Sequence, residues 1–422
     1  MHFCATDFRI EDPLVGAPTN ALLYSWVFLN VSTDSGGLLA RMSFVSSSFV
    51  PGDGGSELEA KLDKPVVPHL YCLKKTPDFF TLWLSLDELL PLVIDCFVDN
   101  MRLVYDNTTH KTSNSPGVDI RVPGFGDTDT VEWLDPTRLN VTSYFSQIVT
   151  AMVSWGYTRG KSVRGAPYDF RKAPNELGEF YEALSDLIED TYKQNNNTKI
   201  VIIGHSMGNP ITLYFLNQKS QPWKDKFIRS HISLAGVWGG VVKTLRLMAS
   251  GDNLGVPIIK PINVRKEQRS MPSTAWLMPS DAFWRSSETL VSSPMRNYTV
   301  NDYEDFFTDI DFKDGYLMRK DTENLIHPLK APGVELHCLH GNQVDTPGRL
   351  IYINTTWHDS EPDVIPDDGD GTVNIRSLKG CLTFQGKQVQ PVHYQIFPKA
   401  EHTEILHRED VIAYIQRVLL TL

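Results

Sequence analysis

The chain has 422 residues, 41% hydrophobic and 22% charged, which suits one large domain with insertions and excludes a disordered or fibrous protein. A formal net charge of −11 at pH 7, without a long basic run, argues against nucleic acid as a partner. The 12 histidines would carry that charge to +1 (−11 + 12) in an acidic compartment, where an anionic lipid surface no longer repels the protein as a whole.

Residues 1–20 carry Asp7, Glu11 and Asp12 and lack the apolar core of a secretory signal; Ala21 to Val31 is only mildly apolar, so 1–44 stand as an unassigned N-terminal segment. Val45 and Phe49 then lead into Val50-Pro51-Gly52-Asp53-Gly54-Gly55, a strand ending in a glycine-rich turn. Between Pro65 and Asn100, Trp83, Leu84, Leu86, Leu89, Leu90 and Leu92 crowd together inside the Cys72 to Cys96 interval. The stretch Leu86 to Val98 falls short of the roughly 18 residues of a membrane span and is broken by Asp87, Glu88, Pro91 and Asp95. Residues 66–100 therefore read as a stapled flap, with Trp83, Leu84, Leu86, Leu89 and Leu90 as membrane-binding residues. An ordinary core helix is the competing reading.

Phe180, Tyr181, Leu184, Leu187, Ile188 and Tyr192 form one helical stripe, the kind that covers a sheet. The apolar run Ile200-Val201-Ile202-Ile203 follows, then Gly204-His205-Ser206-Met207-Gly208, then a helical pattern through Leu216. A GxSxG stretch between a strand and a helix reads as a nucleophile elbow, whose glycines relieve crowding around an exposed serine hydroxyl. Phe227 to Leu234 is a further strand; from Val241 to about residue 333 the pattern loosens into proline, serine and asparagine, as in an inserted cap. Val334 to Gly341 and Val392 to Phe397 restore strands, and Thr403 is placed to cap a closing helix beginning with Ile405.

Strand, elbow serine, helix, further strands, then acid and histidine is the chain order of an α/β hydrolase. Asp370, within Asp367-Asp368-Gly369-Asp370-Gly371-Thr372, is the acid candidate; a calcium loop there lacks the EF-hand spacing and its closing glutamate, so no metal is expected. His402 lies between the last strand and the closing helix, whereas His393 begins that strand and His407 falls inside the helix. His402 is thus the base, while His231 and His337 read as structural. Two backbone donors for an oxyanion would be the Met207 N–H and an N–H of the earlier turn, most simply that of Asp53.

Cys72 with Cys96 and Cys338 with Cys381 are spaced for two local disulfides, leaving Cys4 over. Sequons at Asn30, Asn107, Asn140, Asn196, Asn297 and Asn354 support an oxidising route, with Asn107 and Asn297 as glycosylation candidates.

Taken together, VPGDGGSELEAKLDKP at Val50, VPGFG at Val122, WGYTRGKSVRGAPYDFRKAPNE at Trp155, GHSMGN at Gly204, DDGDGTVN at Asp367 and AEHTEIL at Ala400 resemble the family of lecithin:cholesterol acyltransferase and lysosomal (group XV) phospholipase A2. The resemblance implies an α/β-hydrolase fold over 45–422, with insertions at about 66–100 (membrane-binding flap) and 241–333 (cap, with a lid near Val256 to Ser287). It implies Ser206, Asp370 and His402 as the triad, Asp53 and Met207 as the oxyanion hole, and the two disulfides above. Its activity would be removal of acyl chains from glycerophospholipids at a membrane surface and their transfer to water or a lipid alcohol such as ceramide. No cofactor is implied, and the compartment would be the lysosome or the exterior. Asp53 and SMGN-x-x-TLYFL look like the phospholipase branch. A sterol acyltransferase, a neutral lipase or a non-catalytic lipid-binding protein on the same scaffold are the alternatives.

Overall fold

Six strands form one parallel sheet in this computed structural model, which describes residues 45–253 and 259–420. Residues 1–44, with Cys4 and the Asn30 sequon, and the expected lid residues at 256–258 lie outside the described residues. The strands are β1 (Ser47–Val50), β2 (Val163–Gly165), β3 (Ile200–His205), β4 (Ile228–Leu234), β5 (Glu335–Asn342) and β6 (Val392–Pro398), in the order β6-β5-β4-β3-β1-β2. All six positions of β3 are buried, which is why its sequence is a continuous apolar run and not an alternating one. Helix α1 (Gly178–Gln194) lays Phe180, Leu184, Leu187 and Ile188 inward, each side chain contributing roughly 1.5–3 kcal/mol of burial. Helices α2 (Gly208–Gln218) and α3 (Glu409–Leu420) complete the frame.

The chain leaves β1 toward β2 on one side and returns to β3 on the other, so the connections diverge above the carboxyl ends of β1 and β3. Such a switch point opens a crevice. Asp53 follows β1 and Ser206 follows β3, which sets both at its mouth.

A second hydrophobic core fills the cap, built on helices such as Lys243–Ala249, Pro272–Trp276 and Tyr303–Asp309. It draws Leu350, Tyr352 and Trp357 from beyond the expected 241–333 interval, because Val344–Ile351 pairs with Val291–Ser292 of the cap. The same Val344–Ile351 pairs antiparallel with Asp363–Gly369, whose end delivers Asp370.

Two expectations need correction. Thr403 does not cap the closing helix: Glu404–Leu406 forms a separate 3-10 turn, in which Ile405 and Leu406 are buried, and α3 starts at Glu409. In the flap, Trp83, Leu84 and Leu89 are core residues, only 0%, 2% and 4% exposed. Phe80–Trp83 pairs with Leu58–Leu62, and the Trp83 indole N–H donates to the Gly54 carbonyl at 2.9 Å, so the ring is held inward. Leu86, Leu90 and Leu92 do face solvent, with Val66, Leu70 and Leu73. Cys72 is bonded to Cys96, and Cys338 to Cys381. Among the described residues no helix is long and apolar enough to cross a membrane.

Candidate active site

Ser206 sits between β3 and α2 with φ of 52°, the left-handed conformation of a residue forced through a tight turn. The flanking glycines are required by space: a Cβ on Gly208 would stand 2.3 Å from the Val50 carbonyl oxygen, and one on Gly204 would stand 2.5 Å from Asn209 Oδ1. Asn209 braces the turn, its amide donating to the carbonyls of Ser206 (3.1 Å) and Leu234 (2.9 Å). His231 Nε2 lies 3.1 Å from Asn209 Oδ1, a structural role, and burial lowers its pKa to about 3.

The three residues predicted to act together are hydrogen-bonded in line. Ser206 Oγ donates to His402 Nε2 at 2.8 Å, and His402 Nδ1–H donates to Asp370 Oδ2 at 2.8 Å. Asp370 Oδ1 accepts from the amides of Val373 (2.7 Å) and Thr372 (3.1 Å), while the His402 amide donates to the Asp370 carbonyl at 2.8 Å. One carboxylate oxygen therefore orients the imidazole and the other is held by its own loop. All three side chains are buried. In that setting a serine hydroxyl can lose its proton to the imidazole as it attacks a carbonyl, and the carboxylate stabilises the imidazolium.

The two turns that carry the candidate oxyanion donors, Met207 and Asp53, pack on one another. Met207 occupies the N-cap position of α2, so its N–H is one of the helix's orphan donors. The Gly52–Gly55 turn, closed by the Gly55 amide on the Gly52 carbonyl at 3.0 Å, abuts the elbow so closely that a Cβ on Gly52 would stand 2.7 Å from Ser206 Cβ. Burial pushes the Asp53 carboxyl up to about 6, against the opposing pull of Lys243. Its Oδ1 is buried without a hydrogen-bond partner.

Sequence reasoning missed three contributors. The Tyr144 hydroxyl accepts from the Gly52 amide at 3.0 Å and bonds to His205 Nδ1; His205 Nε2–H donates to the His402 carbonyl at 2.8 Å. This chain ties the glycine-rich turn, the elbow and the catalytic-base candidate into one unit, and burial drives the His205 pKa well below its ordinary value, so it stays neutral. His205 stood inside the GxSxG motif and was legible there; Tyr144, 61 residues earlier, gave no signal. The third is Lys243, buried in the cap beside Asp252 at 3.6 Å. The pocket over Ser206 is walled largely by apolar side chains including Val237, Val241, Leu247, Leu277 and Leu406.

Asn107 and Asn297 are exposed. Residues 79–409 match the family model described as lecithin:cholesterol acyltransferase. The chain is 51% identical over 371 residues to lysosomal phospholipase A and acyltransferase from Homo sapiens, covering 88% of this chain and 89% of that protein. It is 48% identical over 403 residues to the protein of the same name from Canis lupus familiaris, covering 96% and 98%. Against phosphatidylcholine-sterol acyltransferase from Mus musculus the identity is 42% over 371 residues, covering 88% and 84%. A parallel sheet with a serine elbow at its switch point, and a sequence alike over this length, make the chain a member of the lecithin:cholesterol acyltransferase family.

Proposed function

We propose that the protein is a serine-dependent phospholipase A and acyltransferase, working in the lysosome or outside the cell at a membrane surface. Ser206 attacks an ester carbonyl of a glycerophospholipid, His402 takes its proton and returns it to the leaving alcohol, and Asp370 holds the imidazole. The Met207 and Asp53 amides stabilise the tetrahedral oxyanion, each such donor being worth about 3 kcal/mol. The acyl-enzyme then passes its chain to water or to a lipid alcohol such as ceramide, so one nucleophile serves hydrolysis and transfer. The observation that carries this reading is the line Ser206 Oγ, His402, Asp370 opening into an apolar pocket. The higher identity to the phospholipase relatives than to the sterol acyltransferase favours a phospholipase over a sterol enzyme. Exposed Leu86, Leu90 and Leu92 on the flap supply the lipid contact.

The deciding assay uses phosphatidylcholine liposomes at acidic and neutral pH, with ceramide, cholesterol or neither, and Ser206→Ala as control. Free fatty acid and acylated ceramide at acidic pH are expected. Acyl cholesterol as the main product would assign the sterol branch, and absence of any acyl product would return the chain to a lipid-binding role.

A further inference from the structure

Away from the cleft, Glu335 and His337 share one face of β5, because alternate residues of a strand point the same way. His393 of β6 stands opposite His337 in the register of the parallel pair. A single carboxylate oxygen, Glu335 Oε1, lies 3.1 Å from His393 Nε2 and 3.2 Å from His337 Nε2. The two imidazoles stack with centroids 4.5 Å apart, and the three donor atoms lie within 4.8 Å of one another.

His337 is the most telling member. It is only 6% exposed, and its Nδ1 is hydrogen-bonded to the Tyr414 hydroxyl at 3.0 Å, which holds the ring with Nε2 directed into the cluster. That nitrogen is buried and makes no hydrogen bond, since Glu335 approaches it off the bonding direction. A second group fixing the tautomer of a ligating histidine is a regular feature of metal sites.

We propose that Glu335, His337 and His393 bind a divalent transition-metal ion of the zinc class, tying edge strand β6 to β5 at the end of the sheet opposite the catalytic cleft. Two imidazoles and one carboxylate suit such an ion, and bonds of ~2.0–2.2 Å in a tetrahedral array set the donors ~3.3–3.6 Å apart. Two of the three donor separations are already close to that, and the half-exposed His393 is free to turn for the third. The remaining position faces a depression lined by Arg229 and Arg417, which suits water or a small anion as the fourth ligand.

The test titrates Zn2+ into metal-free full-length protein at pH 7 in competition with a chromogenic chelator, and repeats the titration with Co2+ to read d–d absorption. His393→Ala is expected to weaken one site by at least ~100-fold and to abolish its cobalt band. His402→Ala, which removes the cleft histidine, is expected to keep that site. Should His393→Ala melt lower than the parent, Glu335→Gln decides in its place, with the same expected loss. An undiminished site in the deciding variant, or a site lost in His402→Ala and kept in His393→Ala, overturns the proposal.

Discussion

The serine elbow and the stapled flap are both apolar segments over the same hydrophobic core, yet their side chains meet opposite fates. Around the elbow every neighbour is fixed: β3 is buried on both faces, Gly204 and Gly208 admit no Cβ, and His402, Asn209 and the Tyr144–His205 chain hold the turn from three sides. The flap has one inner face only. Trp83, Leu84 and Leu89 take it, and Leu86, Leu90 and Leu92, from the same leucine-rich run, are left outside. Hydrophobicity alone therefore says how many side chains seek cover; the number of faces available decides which of them find it.

The sharpest separation between the two regions is expected from Ser206→Ala, which should reduce phospholipid turnover on the order of 10⁴–10⁶-fold with an unchanged unfolding midpoint. Residual activity near that of the parent would remove the elbow from the chemistry. Next in size, Trp83→Ala should cost about 3–5 kcal/mol in denaturant unfolding, because a fully buried indole leaves a cavity and an unpaired Gly54 carbonyl. If that variant instead kept its stability and lost only liposome binding, the division of the flap drawn here would fail.

Asp53→Asn tests the elbow's electrostatics. With its carboxyl pushed up to about 6, Asp53 is neutral below that pH and an anion beside the developing oxyanion above it, so parent activity should fall as pH rises through that value. One unit above its pKa only about a tenth of a carboxyl stays protonated, so the parent should lose roughly tenfold between pH 5 and pH 7. Asp53→Asn should abolish that limb, and matching pH–rate profiles would refute the assignment. The smallest effect is expected of the double change Leu90→Ser, Leu92→Ser: about 1 kcal/mol, or ~5-fold, weaker sedimentation with phosphatidylcholine liposomes. Hydrolysis of a soluble short-chain ester should be unaffected, and a parallel loss there would mean that these leucines support the fold.

Much of the site was legible because its constraints are local. GxSxG between a strand and a helix, a strand ending in VPGDGG, and a histidine in the loop after the last strand each carry their meaning within a few residues. The Tyr144–His205–His402 link was not, since hydrogen bonds between distant positions leave no periodicity to read. Thr403 misled for a related reason: a capping residue before an apolar run looks the same whether the next turn continues as an α-helix or pauses, as it does here, in a 3-10 turn.

By itself the sequence determined the α/β-hydrolase order of elements and the family, and it singled out Ser206, Asp370 and His402 as the triad candidates that the fold brings into one hydrogen-bonded line, because strand and helix periods and turn chemistry act at short range. Tertiary structure alone decided three things. It placed Asp53 against the elbow by reversing the strand order between β1 and β3, it extended the cap's core to Trp357, and it turned Trp83 inward while leaving Leu92 out. Each depends on which surfaces meet across the fold, and burial, unlike a turn or a helix cap, is a property of the assembled chain.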